Sequence, residues 1–273
     1  MQRKLVIFLL LFGPQLCRAQ DYEKEYVTLF AWEVKQIDEF IERFDDKDST
    51  LIKLYNQKHN PSVPLTREKL IKSLFNAERK DWNYTEIIDF IREVQDKEHP
   101  QYLDLDKDDW FASVNCTVAW KGKAEKALLR LVIQKDLIGG YKWVIADVDA
   151  KFLNSGGANG ATTTDTSQPV LPAAMDADAA LNPMSHATDF LNLDMITREP
   201  RNIANYIVKS DRYGNDFCLF IKEILDDHLK LLTVNTITYD FLQIKGWDIQ
   251  IQQFNRPGKN SGWLISKLTK LPS

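Results

Sequence analysis

The chain has 273 residues, of which 44% are apolar, 11% aromatic and 27% charged. Those proportions suit a chain that buries a core, and they exclude extended disorder, collagen-like repeats and low complexity. A formal charge of −4 lacks the basic surplus expected of a nucleic-acid binder, and the length fits one large domain or two small ones.

The N-terminus reads as an export signal. Arg3 and Lys4 precede the apolar run Leu5–Phe12, a turn at Gly13-Pro14, and Cys17-Arg18-Ala19. A basic start, a short apolar stretch and a small residue before the cut are the parts of a secretory signal peptide. Residues 1–19 are assigned to it, with cleavage after Ala19. The apolar run is far short of the roughly 20 residues that span a bilayer as a helix. No other stretch is long enough either, so no transmembrane segment is expected. Leu16 is bulky beside Cys17, so a lipid anchor is not expected, and the chain is placed in the periplasm or outside the cell. Cleavage removes Arg3, Lys4 and Arg18 and no acidic residue, taking the charge from −4 to −7. Cys116 and Cys218 remain among apolar neighbours and are expected as separate buried thiols, although an oxidising compartment also permits a bridge.

Residues 20–153 open with helices. Tyr26, Phe30, Val34, Ile37, Phe40, Ile41 and Phe44 recur at steps of three and four and predict one amphipathic helix. Pro61 and Pro64 interrupt. Thr66 is placed to cap a second helix with Leu70, Ile71, Leu74 and Phe75 on its apolar face. A third runs from about Thr85 through Ile87, Ile88, Ile91 and Val94 and stops before Pro100. The period then changes from 3.6 to 2. Ala112, Val114, Cys116, Val118 and Trp120 alternate with Ser113, Asn115 and Thr117, as in a half-buried strand. Lys121-Gly122-Lys123 and Gly139-Gly140 turn two further strands, giving a three-stranded antiparallel meander that ends in Tyr141–Val148.

Residues 154–182 are rich in Gly, Ala, Thr, Asp and Pro and show no apolar period, which predicts a flexible linker or long loop. Residues 183–273 repeat the earlier order. Helices are expected at Ala187–Met195, Ile203–Lys209 and Asp216–His228, then strands at Leu231–Phe241, Gly246–Phe254 and Trp263–Leu268. Ser113-Val-Asn-Cys-Thr117 matches Thr233-Val-Asn-Thr-Ile237, and Gly140-Tyr-Lys-Trp143 stands where Ser261-Gly-Trp263 does in the other half. The fold class is therefore α+β: helices packed on curved antiparallel sheets, as two cone-like units in tandem.

Helices followed by a meander whose last strand begins Gly140-Tyr-Lys-Trp-Val-Ile145 resemble the nuclear transport factor 2-like superfamily, with its SnoaL-like and ketosteroid-isomerase-like members. The resemblance is strongest over residues 20–150. It implies a curved sheet wrapped around helices to enclose a cavity, and it implies no single function, because the superfamily includes enzymes, transport factors and binding modules.

No catalytic signature stands out. His59, His99, His186 and His228 have no metal-type spacing, and the glycine-rich run Gly156–Gly160 follows no strand-to-helix turn. The acidic run Asp104–Asp109 lacks the glycine and the closing glutamate of a calcium loop. No metal and no cofactor is expected. Asn83-Tyr-Thr85 and Asn115-Cys-Thr117 fit the N-glycosylation pattern; Asn115 lies mid-strand, a poor acceptor site, and Asn83 matters only in a eukaryotic host. The tryptophans are the most suggestive residues. In a cone fold Trp120, Trp143, Trp247 and Trp263 would line the cavity and suit a small apolar ligand or a sugar face. Strand alternation from Tyr141, Trp143 and Ile145 points Asp147 inward too, where a buried carboxylate would serve as the base of an isomerase- or hydratase-type enzyme. The reading preferred is an exported non-enzymatic binding protein with a protein or glycan partner and no nucleic acid. The cavity enzyme using Asp147 is the alternative.

Overall fold

The computed structural model describes residues 25–135, 141–155, 168–176, 178–181 and 192–272. The expected export signal (1–19), the expected turn at Gly139-Gly140, the Gly156–Gly160 run and His186 lie outside the described residues. Among those residues no helix is long and apolar enough to cross a membrane.

The protein is α+β, with one six-stranded antiparallel sheet. Its strands are β1 (Trp110–Trp120), β2 (Lys123–Lys135), β3 (Tyr141–Asp149), β4 (Leu229–Phe241), β5 (Trp247–Phe254) and β6 (Gly262–Lys270). Their order is β3-β2-β1-β4-β5-β6. Both meanders expected from the sequence are therefore present, but they share one sheet through antiparallel pairing of their first strands. The matched pentapeptides face each other across that seam, with Val114 opposite Ile237, Asn115 opposite Thr236 and Thr117 opposite Thr233. By packing, the described chain divides into two units that the sequence boundaries do not match. One comprises residues 25–104 and 252–268, the other 105–251 and 269–272.

The first unit is mainly helical: α1 (residues 25–32), α2 (Ile37–Asp45), α3 (Leu51–His59), α4 (Arg67–Ser73) and α5 (Tyr84–Val94). Phe40, Phe44, Leu70, Leu74 and Phe90 are fully buried and form its centre. Thr66 caps α4 by accepting from the Lys69 N–H, and Asn83 caps α5 by accepting from the Glu86 N–H. Each satisfies a donor that the first helical turn leaves without a partner. Two expectations change here. The single helix over 26–44 is broken between α1 and α2, because Val34 pairs with the backbone of residues 261–263. Its N–H donates to the Ser261 carbonyl (3.1 Å) and its carbonyl accepts from the Trp263 N–H (2.7 Å). Arg43 then closes α1 by donating to the Trp32 carbonyl at 2.8 Å and, more weakly, to those of Ala31 and Glu33. The second change is α3, absent from the sequence reading, which buries only Ile52 and so has little apolar period to show.

The second unit contains β1–β4, α6 (Lys151–Ser155), α7 (Met195–Arg198), a 3₁₀ turn (Pro200–Asn202), α8 (Ile203–Tyr206) and α9 (Asn215–Leu225). One face of the sheet buries Val114, Cys116, Val118, Leu129, Leu131 and Ile145. The helix expected over 203–209 stops at Tyr206, because Ile207 bridges to Ile145 and the Val208 N–H donates to the Ile145 carbonyl. The described part of the expected linker is tethered. Leu181 is fully buried and its carbonyl accepts from the Trp143 N–H, while the Asn202 side chain accepts from the N–H groups of Met175 and Asp176. Cys116 and Cys218 are both buried and both free. Burial pushes the Cys116 thiol up to about 12.

Candidate functional site

An antiparallel sheet can bury one face and leave the other to solvent. In the second unit the second face is built from the polar positions of β1 and their neighbours. Asn115 stands opposite Leu128 on β2, and Leu128 opposite Asp149 on β3. Two residues along, Thr117 stands opposite Lys126. The seam with β4 continues the rows. The Asn115 amide donates to Thr236 Oγ1 (3.0 Å), the Asn235 amide donates to Thr117 Oγ1 (3.0 Å), and the Lys126 ammonium donates to the same hydroxyl (2.7 Å). Cross-strand pairs of this kind hold side chains in fixed rotamers on the sheet surface.

At one end of this face lies an open groove of about 660 Å³. Ala124 and Leu128 lend it apolar surface from the open face, and the buried Ala127 and Phe152 complete its apolar lining. Asn115, Thr117, Glu125, Lys126, Asp149 and Lys151 supply amide, hydroxyl and charged groups around it. Two carboxylates and two ammonium groups cancel, so the lining carries no net charge. It can therefore donate and accept hydrogen bonds toward a neutral polar ligand while its apolar residues take an apolar surface.

Phe152 also packs on Trp120, with ring centroids 5.2 Å apart. Trp120 is half-buried at the end of β1, and its indole N–H donates to Glu223 Oε2 on α9 at 2.6 Å. Glu223 in turn sits 3.4 Å from the Lys121 ammonium and 3.5 Å from His228 Nδ1, and the Lys121 ammonium lies 4.7 Å from the Trp120 ring centre. The carboxylate thereby fixes the indole from one side while Phe152 supports it from the other.

The four tryptophans singled out in the sequence are not brought together. Trp143 is buried in a ring cluster, 5.2 Å from Trp110 and 6.1 Å from Tyr239. Trp247 is fully buried, with the Lys270 ammonium 5.1 Å from its ring. Trp263 is buried in the first unit, beside the strand segment that meets Val34. None of these three lines the groove; all three are buried in the core rather than lining a cavity. Trp120 alone of the four reaches its neighbourhood, through Phe152.

Asp147 is exposed rather than inward-facing. The register slips between Arg130 and Leu131, which pair with Asp147 and Ile145, so Ala146 has no partner on β2. Such a bulge reverses the alternation beyond it. Val148 takes the buried position, and Asp147 accepts the Val148 N–H on the open face opposite Arg130. A cavity base needs seclusion from water, which this position does not give.

Lys126, Asp149, Lys151 and Phe152 went unmarked in the sequence reading. The signal that could have found the first two was already visible, namely the polar phase of β1 at Ser113, Asn115 and Thr117, whose cross-strand partners they extend. Among the described residues no group of three or more His, Cys, Asp or Glu is arranged to hold a metal ion. Comparison of the chain with protein-family models, with curated proteins and with solved structures finds no match.

Proposed function

We propose that this is an exported, non-enzymatic binding protein whose open sheet face takes a glycan. The observation that carries the proposal is the mixed lining of the groove, apolar at Ala124, Ala127, Leu128 and Phe152 and elsewhere polar, with charges that cancel. A saccharide presents the matching surface, a C–H face to meet the apolar residues and hydroxyls that donate to and accept from the polar ones. Export is supported by Arg3-Lys4, the apolar run Leu5–Phe12 and the small Ala19, the parts of a signal peptide. The finer architecture belongs to the same proposal: two cone-like units in tandem of the nuclear transport factor 2-like kind. It is supported by the repeated helix-then-meander order and by the matched pentapeptides at 113–117 and 233–237.

The test is a saccharide array probed with the mature chain and with a Lys126→Ala/Asp149→Ala variant. A defined group of glycans bound by the wild type, with at least tenfold weaker binding by a variant that melts normally, supports the proposal. No binding, or binding that the variant leaves unchanged, rejects it.

A further inference from the structure

The first unit holds a second, smaller pocket of about 220 Å³, below the roughly 300 Å³ at which sites for drug-sized ligands begin. Trp32 at the end of α1 and Tyr55 on α3 form aromatic walls, and the buried Ile52 closes the bottom. Tyr55 is held on both sides. Its hydroxyl shares a 2.6 Å hydrogen bond with Thr28, and its ring stacks on His59 at 4.2 Å. The Asn56 amide nitrogen donates to the Val63 carbonyl, which fixes the orientation of that side chain and leaves its oxygen as an acceptor.

The remaining polar groups of the lining are mostly donors. The Asn60 amide and the Trp32 indole N–H have no hydrogen-bond partner among the described residues, and the Lys259 ammonium forms no ion pair there. The ammonium lies 5.8 Å from the centre of the Trp32 ring. No carboxylate lines this pocket, so its formal charge is positive, unlike that of the groove on the sheet. A cation next to an aromatic ring, with side-chain amides in the same lining, matches a small ring-shaped molecule that carries one carboxylate. Arranged so, the carboxylate pairs with Lys259, the ring lies on Trp32 or Tyr55, and hydroxyls meet Asn56 and Asn60. Charge-assisted hydrogen bonds of the ammonium–carboxylate type are the strong ones, and they would set the preference for an acid over a neutral sugar.

We propose that this pocket is a binding site for an acidic monosaccharide of the hexuronate class. It is independent of the groove on the sheet, and its test uses different variants. The full mature chain is titrated with glucuronate, glucose and inorganic phosphate by calorimetry, alongside Lys259→Gln and Asn60→Ala variants and the Lys126→Ala/Asp149→Ala variant. The expected result is saturable binding of glucuronate, at least tenfold weaker for glucose and for phosphate. Lys259→Gln should abolish the preference for glucuronate over glucose, Asn60→Ala should weaken both sugars, and the groove variant should bind as the wild type does. Both pocket positions are exposed, so both variants should keep the wild-type melting temperature. Glucose bound as well as glucuronate overturns the acidic class, and phosphate bound as well overturns the sugar. Glucuronate binding that is absent at millimolar concentration, or unchanged in Lys259→Gln, overturns the site.

Discussion

Gly262 is the position where one added methyl group should cost most. It opens β6 with φ at +82°, and a Cβ built there lies 2.0 Å from the Val34 carbonyl oxygen, 2.6 Å from its carbon and 2.8 Å from its nitrogen. All three are backbone atoms of a fully buried residue, so no side chain can swing aside. In Gly262→Ala the segment between α1 and α2 must withdraw. That breaks the bonds from the Val34 N–H to Ser261 and from the Trp263 N–H to Val34. Left-handed backbone costs a non-glycine residue roughly 1–2 kcal/mol, and each lost backbone hydrogen bond costs about 1 kcal/mol. The sum is about 3–4 kcal/mol. Gly122 is the matched control, with φ at +79° and nothing within 4 Å of its would-be Cβ. Gly122→Ala should lose only the backbone share, about 1–2 kcal/mol. In a protein of this size each kcal/mol moves the melting temperature by about 2–4 °C. Calorimetric melts of the two variants should therefore differ by several degrees, Gly262→Ala being the lower. Equal destabilisation would refute the close-approach argument.

Four other outcomes follow from the geometry. Arg43 is buried and holds three carbonyls at the end of α1, and burial lowers its guanidinium to about 10. Arg43→Met should leave those carbonyls without a partner and cost about 2–3 kcal/mol in urea titrations, and a loss under 0.5 kcal/mol would contradict the capping role. Cys116 has a folded pKa raised by burial to about 12 from an ordinary 9.0, so the thiol's contribution to stability is intact below pH 9 and is lost as pH rises toward 12. Alkaline unfolding should thus begin near pH 9 and be less steep in Cys116→Ala, whereas an identical profile would show that another group governs it. At pH 8 the native protein should resist iodoacetamide at Cys116 and Cys218 until urea unfolds it, as read by mass spectrometry. Trp120→Phe keeps the contact with Phe152 but removes the donor to Glu223, and should cost about 1–2 kcal/mol in denaturant melts. A neutral result would mean that water replaces the indole at that carboxylate.

Local pattern carried much of the fold. The caps at Thr66 and the apolar faces of α4 and α5 follow from residues within two turns of each other. So do the hairpin at Lys121-Gly122 and the alternation in β1. What the sequence did not show depends on partners far along the chain. Tyr26 to Phe44 keep a helical period across Val34, and only the pairing of Val34 with residues 261–263 explains the break. Ile207 fits a helix until Ile145 claims it. Asp147 has the inward phase by simple counting, and the bulge at Ala146 reverses it. The tryptophans were legible as large rings on strands, but whether such a ring fills a core or lines a cavity is decided by what packs against it. For Trp143 that is Trp110 and Tyr239. The groove on the open face was only half legible, because Asn115 and Thr117 look like ordinary solvent positions until Lys126, Asp149 and Phe152 are set beside them.

The central claim, that the open sheet face is the binding face, is tested most directly by hydrogen exchange. The chain lacking residues 1–19 is compared free and saturated with the glycan it binds best on the array. Binding in the groove predicts slowed exchange confined to residues 115–117, 124–128 and 149–152, with strands β5 and β6 unchanged. Saturable binding that leaves those three segments unprotected would contradict it.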